Sequence, residues 1–141
     1  MFKAVKDKIV DILETLDGAG NPLEQVFGYI EPSPQKFPCA MVRVSGTSLE
    51  IRFDSGTNLL TMEFTIRVLL RAKNNEEIED KRLDLLDAIM DAFRTSANVD
   101  TLGGLVENFE IVSAQQLEVN QDQPEFGFDL IVNAGKLKSI S

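Results

Sequence analysis

The sequence predicts an α+β fold, a mixed and mostly antiparallel β-sheet with two helices packed on one face. Two segments carry apolar residues at spacings of three and four, the pattern of amphipathic helices. Elsewhere apolar and polar residues alternate with a period of two, as in strands with one buried face. Short connections between these strands favour antiparallel pairing. With 141 residues, the chain has the size of one domain, and we expect residues 1–141 to form a single domain.

The first predicted helix opens the chain. Its charged residues fall mostly off the apolar stripe, and Gly18 and Gly20, followed by Pro22, supply a helix stop. The stripe comprises Phe2, Val5, Ile9, Ile12, Leu13 and Leu16.

Four strands are predicted in the next part of the chain. Residues 25–31 read as a short strand, and three prolines make residues 32–38 a stiff loop. Residues 39–45 and residues 49–54 predict two further strands. Strict alternation over residues 60–71 predicts the longest strand, which we expect to be the spine of the sheet.

The second predicted helix follows this spine. Asn74 can cap it, with Glu77 three residues further on, as in a capping box. Acidic residues crowd the side away from the apolar stripe. The stripe comprises Ile78, Leu85, Leu86, Ile89, Met90 and Phe93.

The last part of the chain predicts two more strands. Residues 105–120 are strand-like, but their period shifts near residues 113–116, which indicates a bulge or a break. Residues 126–132 alternate regularly and predict the final strand. Residues 134–141 are predicted to be a loose tail.

Charge and residue usage restrict the function. The chain carries 23 acidic against 14 basic residues, a net charge of −9, which disfavours binding to DNA phosphates and to anionic membranes. It contains no histidine, which removes histidine-activated nucleophiles and histidine metal ligands. One cysteine allows no internal disulfide, and no signal peptide or membrane span is evident. We therefore expect a cytoplasmic protein.

The acidic side of the second helix is a candidate functional surface. A divalent cation site would need further oxygen ligands from elsewhere, and none is indicated. A solvated face is therefore the favoured interpretation, and a negative wall that repels DNA is another. The residues, spaced three and four apart and here called the acidic face, are Asp80, Asp84, Asp87 and Asp91.

No sequence motif points to catalysis. Gly18-Ala19-Gly20 follows a helix rather than a strand, so it terminates a helix and does not bind a dinucleotide. Cys39 follows Pro38 at a strand start and has no evident group to lower its pKa. No pair of carboxylates stands out among the 23, so we expect neither catalysis nor a cofactor or metal site.

A face of the strands that is predicted to be exposed is the second candidate surface. Met41 and Leu69 lie on that face. Isolated surface apolar residues are common, although two on neighbouring strands also fit the edge of a subunit contact. With the arginines beside them they form a mixed basic and apolar candidate subunit interface: Met41, Arg43, Arg67, Leu69 and Arg71.

The order of these segments resembles the tail terminator, or tail completion, proteins of long-tailed bacteriophages and related prophages. The likeness covers an amphipathic first helix, a proline-rich loop ending in Phe37-Pro38-Cys39-Ala40-Met41-Val42, and long alternating strands. It continues through the helix at residues 76–94, Leu102-Gly103-Gly104-Leu105-Val106 and the last strand near residues 126–132. It is a likeness of order and length, with no catalytic signature.

The resemblance implies a virion structural protein rather than an enzyme. Such proteins form a ring, a hexamer, that stops polymerisation of the tail tube and offers a surface to the head–tail connector protein. DNA passes through the hole without specific binding, which suits an acidic face turned toward the lumen or a partner. The implied locations are the host cytoplasm during assembly and the virion tail. The acidic surface of one copy and the basic strand face of the next could meet head to tail.

Two alternatives remain open at this stage. A neck or head-completion connector protein of a phage has similar size and organisation. A small carboxylate-dependent enzyme belongs to another class, and a ring seen by electron microscopy would argue against it.

Overall fold

Five strands form one sheet and two helices cover part of it in the computed structural model, over the residues that it describes: 2–16, 23–32, 34, 36–52, 57–71, 75–94, 108–120 and 125–139. The elements in chain order are α1 (Phe2–Glu14), β1 (Gln25–Phe27), β2 (Cys39–Arg52), β3 (Thr57–Arg71), α2 (Asn75–Phe93), β4 (Asn108–Asn120) and β5 (Glu125–Ser139).

The strand order is β1-β2-β3-β5-β4. β1 runs parallel to β2, and every other neighbouring pair is antiparallel. This confirms the predicted α+β class with a mixed, mostly antiparallel sheet. β3 and β5 pair over residues 57–71 and 125–139 at the centre of the sheet, so the longest predicted strand is indeed its spine.

The core lies between the helices and one face of the sheet. α1 contributes Val5 and Ile9, and α2 contributes Ile89 and Phe93, all buried in the same cluster as the inward-facing residues of the strands. Both helices therefore pack on one face, as predicted. The sheet side of the cluster comprises Ala40, Val42, Phe64, Ile66, Val68, Leu70, Phe109, Phe128, Leu130, Val132 and Ala134. Each large side chain buried there contributes roughly 1.5–3 kcal/mol.

The structure corrects the prediction of separate strands at residues 39–45 and 49–54. One strand, β2, runs continuously from Cys39 to Arg52, and its register shifts between Val44 and Gly46. The extra residue, Ser45, donates a hydrogen bond of 2.8 Å to the Glu63 side chain on β3. A bulge breaks the period of two without ending the strand, which is why the pattern looked like two strands.

The prediction of a loose tail at residues 134–141 is wrong for residues 134–139. β5 continues to that residue, and the backbone of residues 134–139 pairs with residues 57–62 of β3. Ala134 is fully buried. The prediction failed because alternation weakens after Val132, whereas the long partner strand β3 supplies pairing for every residue that follows.

Bulges also explain the irregular strand predicted for residues 105–120. β4 spans Asn108–Asn120, with register shifts between Ile111 and Ser113 and again near its end. The first shift lies just before the predicted interval of residues 113–116. The predicted helix stop at Gly18–Pro22, the cap at Asn74 and the side chain of Ile78 lie outside what the structure describes.

Candidate assembly surfaces

The face of the sheet away from the helices, here called the outer face, carries a second small apolar cluster. Cys39, Met41 and Leu69 are buried there, with Phe27 and Phe37 packed against them. Met41 is 1% exposed and Leu69 is 5% exposed. Their predicted exposure is therefore wrong, because β1 and the end of the proline-rich loop bring two phenylalanines over this end of the sheet.

Arg67 is committed to a partner within the same chain. Its Nε and Nη2 donate to the two carboxylate oxygens of Asp129 at 3.0 and 3.1 Å, a bidentate pair. Asp129 is 9% exposed. The hydrogen bond to Asp129 raises the pKa of Arg67, against the opposing effect of partial burial. Arg67 and Asp129 face each other across β3 and β5, so this arginine stabilises the centre of the outer face.

The two remaining arginines of the candidate interface are exposed at their positions on the strands. The Arg71 guanidinium lies 4.0 Å from the centre of the Phe37 ring, a cation–π contact that extends the small cluster. Arg43, on β2, is exposed on the outer face opposite Thr65. Of the five residues in the predicted interface, Arg43 and Arg71 thus present charge to solvent, and whether they contact another subunit stays a prediction.

The acidic face of α2 is fully on the solvent side of the helix. All four of its aspartates are exposed, opposite the buried stripe that contains Leu85, Ile89 and Phe93. The basic residues of α2 pair elsewhere, Lys81 with Glu77 at 3.0 Å and Arg82 with Glu79 at 2.6 Å. In the described part of α2, the ion pairs of the two basic residues are thus made with glutamates and not with the four aspartates of the acidic face. Their role as a lumen or partner face stays a prediction.

A groove between α2 and β4 is a surface that the sequence did not reveal. It has a volume of about 150 Å³ and is lined on the helix side by Glu79, Arg82, Leu83 and Leu86, and on the sheet side by Ala114, Gln115, Gln116 and Phe128. Leu83 is 55% exposed at this site. Arg82 is 7% exposed, and its Nε has no hydrogen-bond partner. The groove exists because α2 leaves part of β4 uncovered, which depends on the strand order and not on local sequence.

Potential metal ligands and the single cysteine are the remaining chemical features of the described residues. Among them, no group of three or more cysteine or acidic side chains is arranged to hold a metal ion. Cys39 is fully buried in the small outer cluster. No helix in the described part of the chain is long and apolar enough to cross a membrane.

Comparisons with known proteins add evidence on the fold. No protein-family model matches the chain, and no curated protein matches it. Among solved structures, the chain is similar to one described as "Virion of native gene transfer agent (GTA) particle", with a TM-score of 0.50 and 13% sequence identity. The similarity covers 92% of this chain and 84% of the other. The two chains share a fold.

Proposed function

We propose that the chain is a structural protein of a phage-like virion, and specifically a tail terminator that caps the tail tube as a ring. The observation that carries the proposal is the fold similarity, over 92% of the chain, to a component of a gene transfer agent virion. A virion built from protein shells and tubes is assembled through subunit contacts, so a role without catalysis is part of the proposal. The ring ends tube polymerisation and offers its upper surface to the head–tail connector protein.

The distribution of charge supports this role. The net charge of −9 and the exposed acidic face of α2 would repel DNA that passes close by. The proposed partners are further copies of the chain, most simply six, together with the tube protein and the connector. The acidic face lines the lumen or meets one of these partners.

Tube length is the most informative readout for the proposal. Purified tube protein is polymerised with and without the full chain, and the products are imaged by negative-stain electron microscopy. We expect shorter tubes, each carrying a ring at one end. Denatured chain is the control for nonspecific effects on polymerisation. Tubes of unchanged length without rings would contradict the proposal, and rings bound to portals but never to tubes would assign the chain to the neck instead.

The acidic face can be tested separately. Replacing its four aspartates with asparagine changes exposed side chains only, so the fold should persist. If the face meets a partner, the variant loses tube capping. If it lines the lumen, capping persists and the rings retain double-stranded DNA better at low salt, because less negative charge repels phosphate. A variant that behaves as the wild type in both assays would show that the acidic face neither meets a partner nor lines the lumen.

A further inference from the structure

Within the part of the chain that the structure describes, the sheet has two free edges whose strands run in opposite directions. There β4 forms one edge, and β1 pairs only with residues 39–41 of β2, which leaves β2 from Val42 onward as the other. β2, β3, β5 and β4 alternate in direction. A rotation about an axis parallel to the strands therefore brings β4 of one copy beside β2 of the next, with the two strands antiparallel and the helices on the same side. Such a head-to-tail contact closes into a ring when the rotation fits.

Among the described side chains, an exposed valine lies on each of these two edges, and the two valines lie at the same height in the sheet. Val44 on β2 is 47% exposed, and Val112 on β4 is 52% exposed. Val44 is opposite Phe64, Phe64 is opposite Val132, and Val132 is opposite Ile111, the neighbour of Val112. Side-by-side copies without any axial shift would therefore bring Val112 of one copy to Val44 of the next.

Both edges also have a bulge at this height. β2 shifts register between Val44 and Gly46, and β4 shifts between Ile111 and Ser113. Bulges interrupt the regular row of backbone donors and acceptors that would otherwise template uncontrolled strand pairing. A contact here depends on side chains, which makes it specific and weak enough for assembly to await a template.

Complementary charges flank the two valines. Arg43 on β2 and Glu110 on β4 are both exposed, and both lie on the outer face. Arg43 is level with Ser113, and Glu110 is level with Gly46. In copies that sit side by side without an axial shift, Arg43 and Glu110 are therefore two residue positions apart along the strand direction, about 7 Å. Long side chains on neighbouring strands can reach each other across this diagonal separation.

We propose that each copy in the ring packs its β4 edge against the β2 edge of the next copy, with Val112 against Val44 and Glu110 paired with Arg43. This contact rests on the proposed function, since it supplies the interface of the ring. It retains Arg43 from the interface predicted from the sequence and replaces Met41, Arg67 and Leu69, whose side chains are engaged within the chain.

Single substitutions at the valines test the apolar part of the contact. Val44→Asp and Val112→Asp should each weaken association by about tenfold or more, because each buries an unpaired charge in the interface. Ala4→Asp is the matched control, since it adds the same charge at an exposed position on α1 and not on either edge strand. Association is measured by analytical ultracentrifugation and native mass spectrometry of the full chain, alone and with tail tubes, and thermal unfolding checks that each variant is folded.

A charge exchange tests the pairing itself. Arg43→Glu and Glu110→Arg should each reduce association by about tenfold, and the double variant should recover most of it, because the pair is restored in reverse. A structural role for either residue would not produce this recovery. If the double variant is as defective as the single ones, or if both Val→Asp variants assemble as well as Ala4→Asp, the edge contact is wrong.

The outcomes separate this contact from the proposed function. Wild-type rings that ignore tubes would overturn tube capping and leave the contact to be decided by the variants. Capping that survives all the edge substitutions would uphold the function and overturn the contact. A wild-type chain that neither self-associates nor binds tubes at any concentration overturns both.

Discussion

Gly127 occupies a position on β5 where the fold admits no side chain. It lies opposite Leu69 of β3, at the centre of the sheet. A Cβ at this position would overlap the carbonyl oxygen of Val68 and approach Leu69 Cδ2 to 3.2 Å. Because the obstacle is backbone of the central strand, it cannot rotate away, and β5 must separate locally from β3.

The cost of Gly127→Ala follows from that displacement. Overpacking of a fitted site costs about 1–3 kcal/mol, and each ladder hydrogen bond lost beside it adds about 1 kcal/mol. With one such bond lost, we therefore expect Gly127→Ala to lose ~2–4 kcal/mol of unfolding free energy, a large part of the ~5–15 kcal/mol typical of a domain. In urea this corresponds to a lower midpoint by on the order of 1–2 M.

Gly46 provides the matched control for this prediction. A Cβ there would lie 3.7 Å from the Glu63 Cβ, an ordinary contact. Gly46→Ala should therefore change stability by less than about 1 kcal/mol, in either direction. Equal urea midpoints for Gly127→Ala and the wild type, or equal losses for the two alanine variants, would refute the argument from the close approach of β3 and β5.

Three further predictions concern single sites. Phe64→Ala removes a fully buried ring from the core and should cost ~3–5 kcal/mol; an unchanged denaturation midpoint would contradict that placement. Arg67→Ala should lower the free energy of unfolding by ~1–3 kcal/mol, because it leaves the nearly buried Asp129 unpaired. The double variant Arg67→Ala, Asp129→Ala should lose less than the sum of the two single losses, which a double-mutant cycle by chemical denaturation would measure. The buried Cys39 should react with a thiol reagent only as the fold opens, and Cys39→Ser should still cap tubes; rapid labelling that abolishes capping would mean that the thiol is functional.

The fold class could be predicted because its elements are long and strongly periodic. The alternation around Phe64 and Ile66 and the helical spacing of Leu85, Ile89 and Phe93 correctly identified core residues. The prediction failed at strand boundaries, where a bulge or pairing with a distant strand decides the structure and the local alternation of residues does not. The bulge at Ser45 made one strand look like two, and the strand beyond Val132 exists because β3 is long enough to pair with it.

The candidate surfaces were less predictable for a physical reason. Burial of Met41 and Leu69 depends on Phe27 and Phe37, which pack against them. Alternation within a strand does not indicate which other segment covers its side chains. The pairing of Arg67 with Asp129 joins residues 62 positions apart, so no local pattern in the sequence indicates it. By contrast, exposure of the acidic face followed directly from its position opposite the apolar stripe of α2.

The central claim, that copies of this chain form a ring that ends a tail tube, is tested most directly by cryo-electron microscopy of tubes polymerised in the presence of the chain. The account predicts a ring of additional density at one end of each shortened tube, into which the sheet and the two helices fit with β4 of one copy beside β2 of the next. Tube ends that carry no additional density, with a length distribution equal to that of tube protein alone, would contradict it.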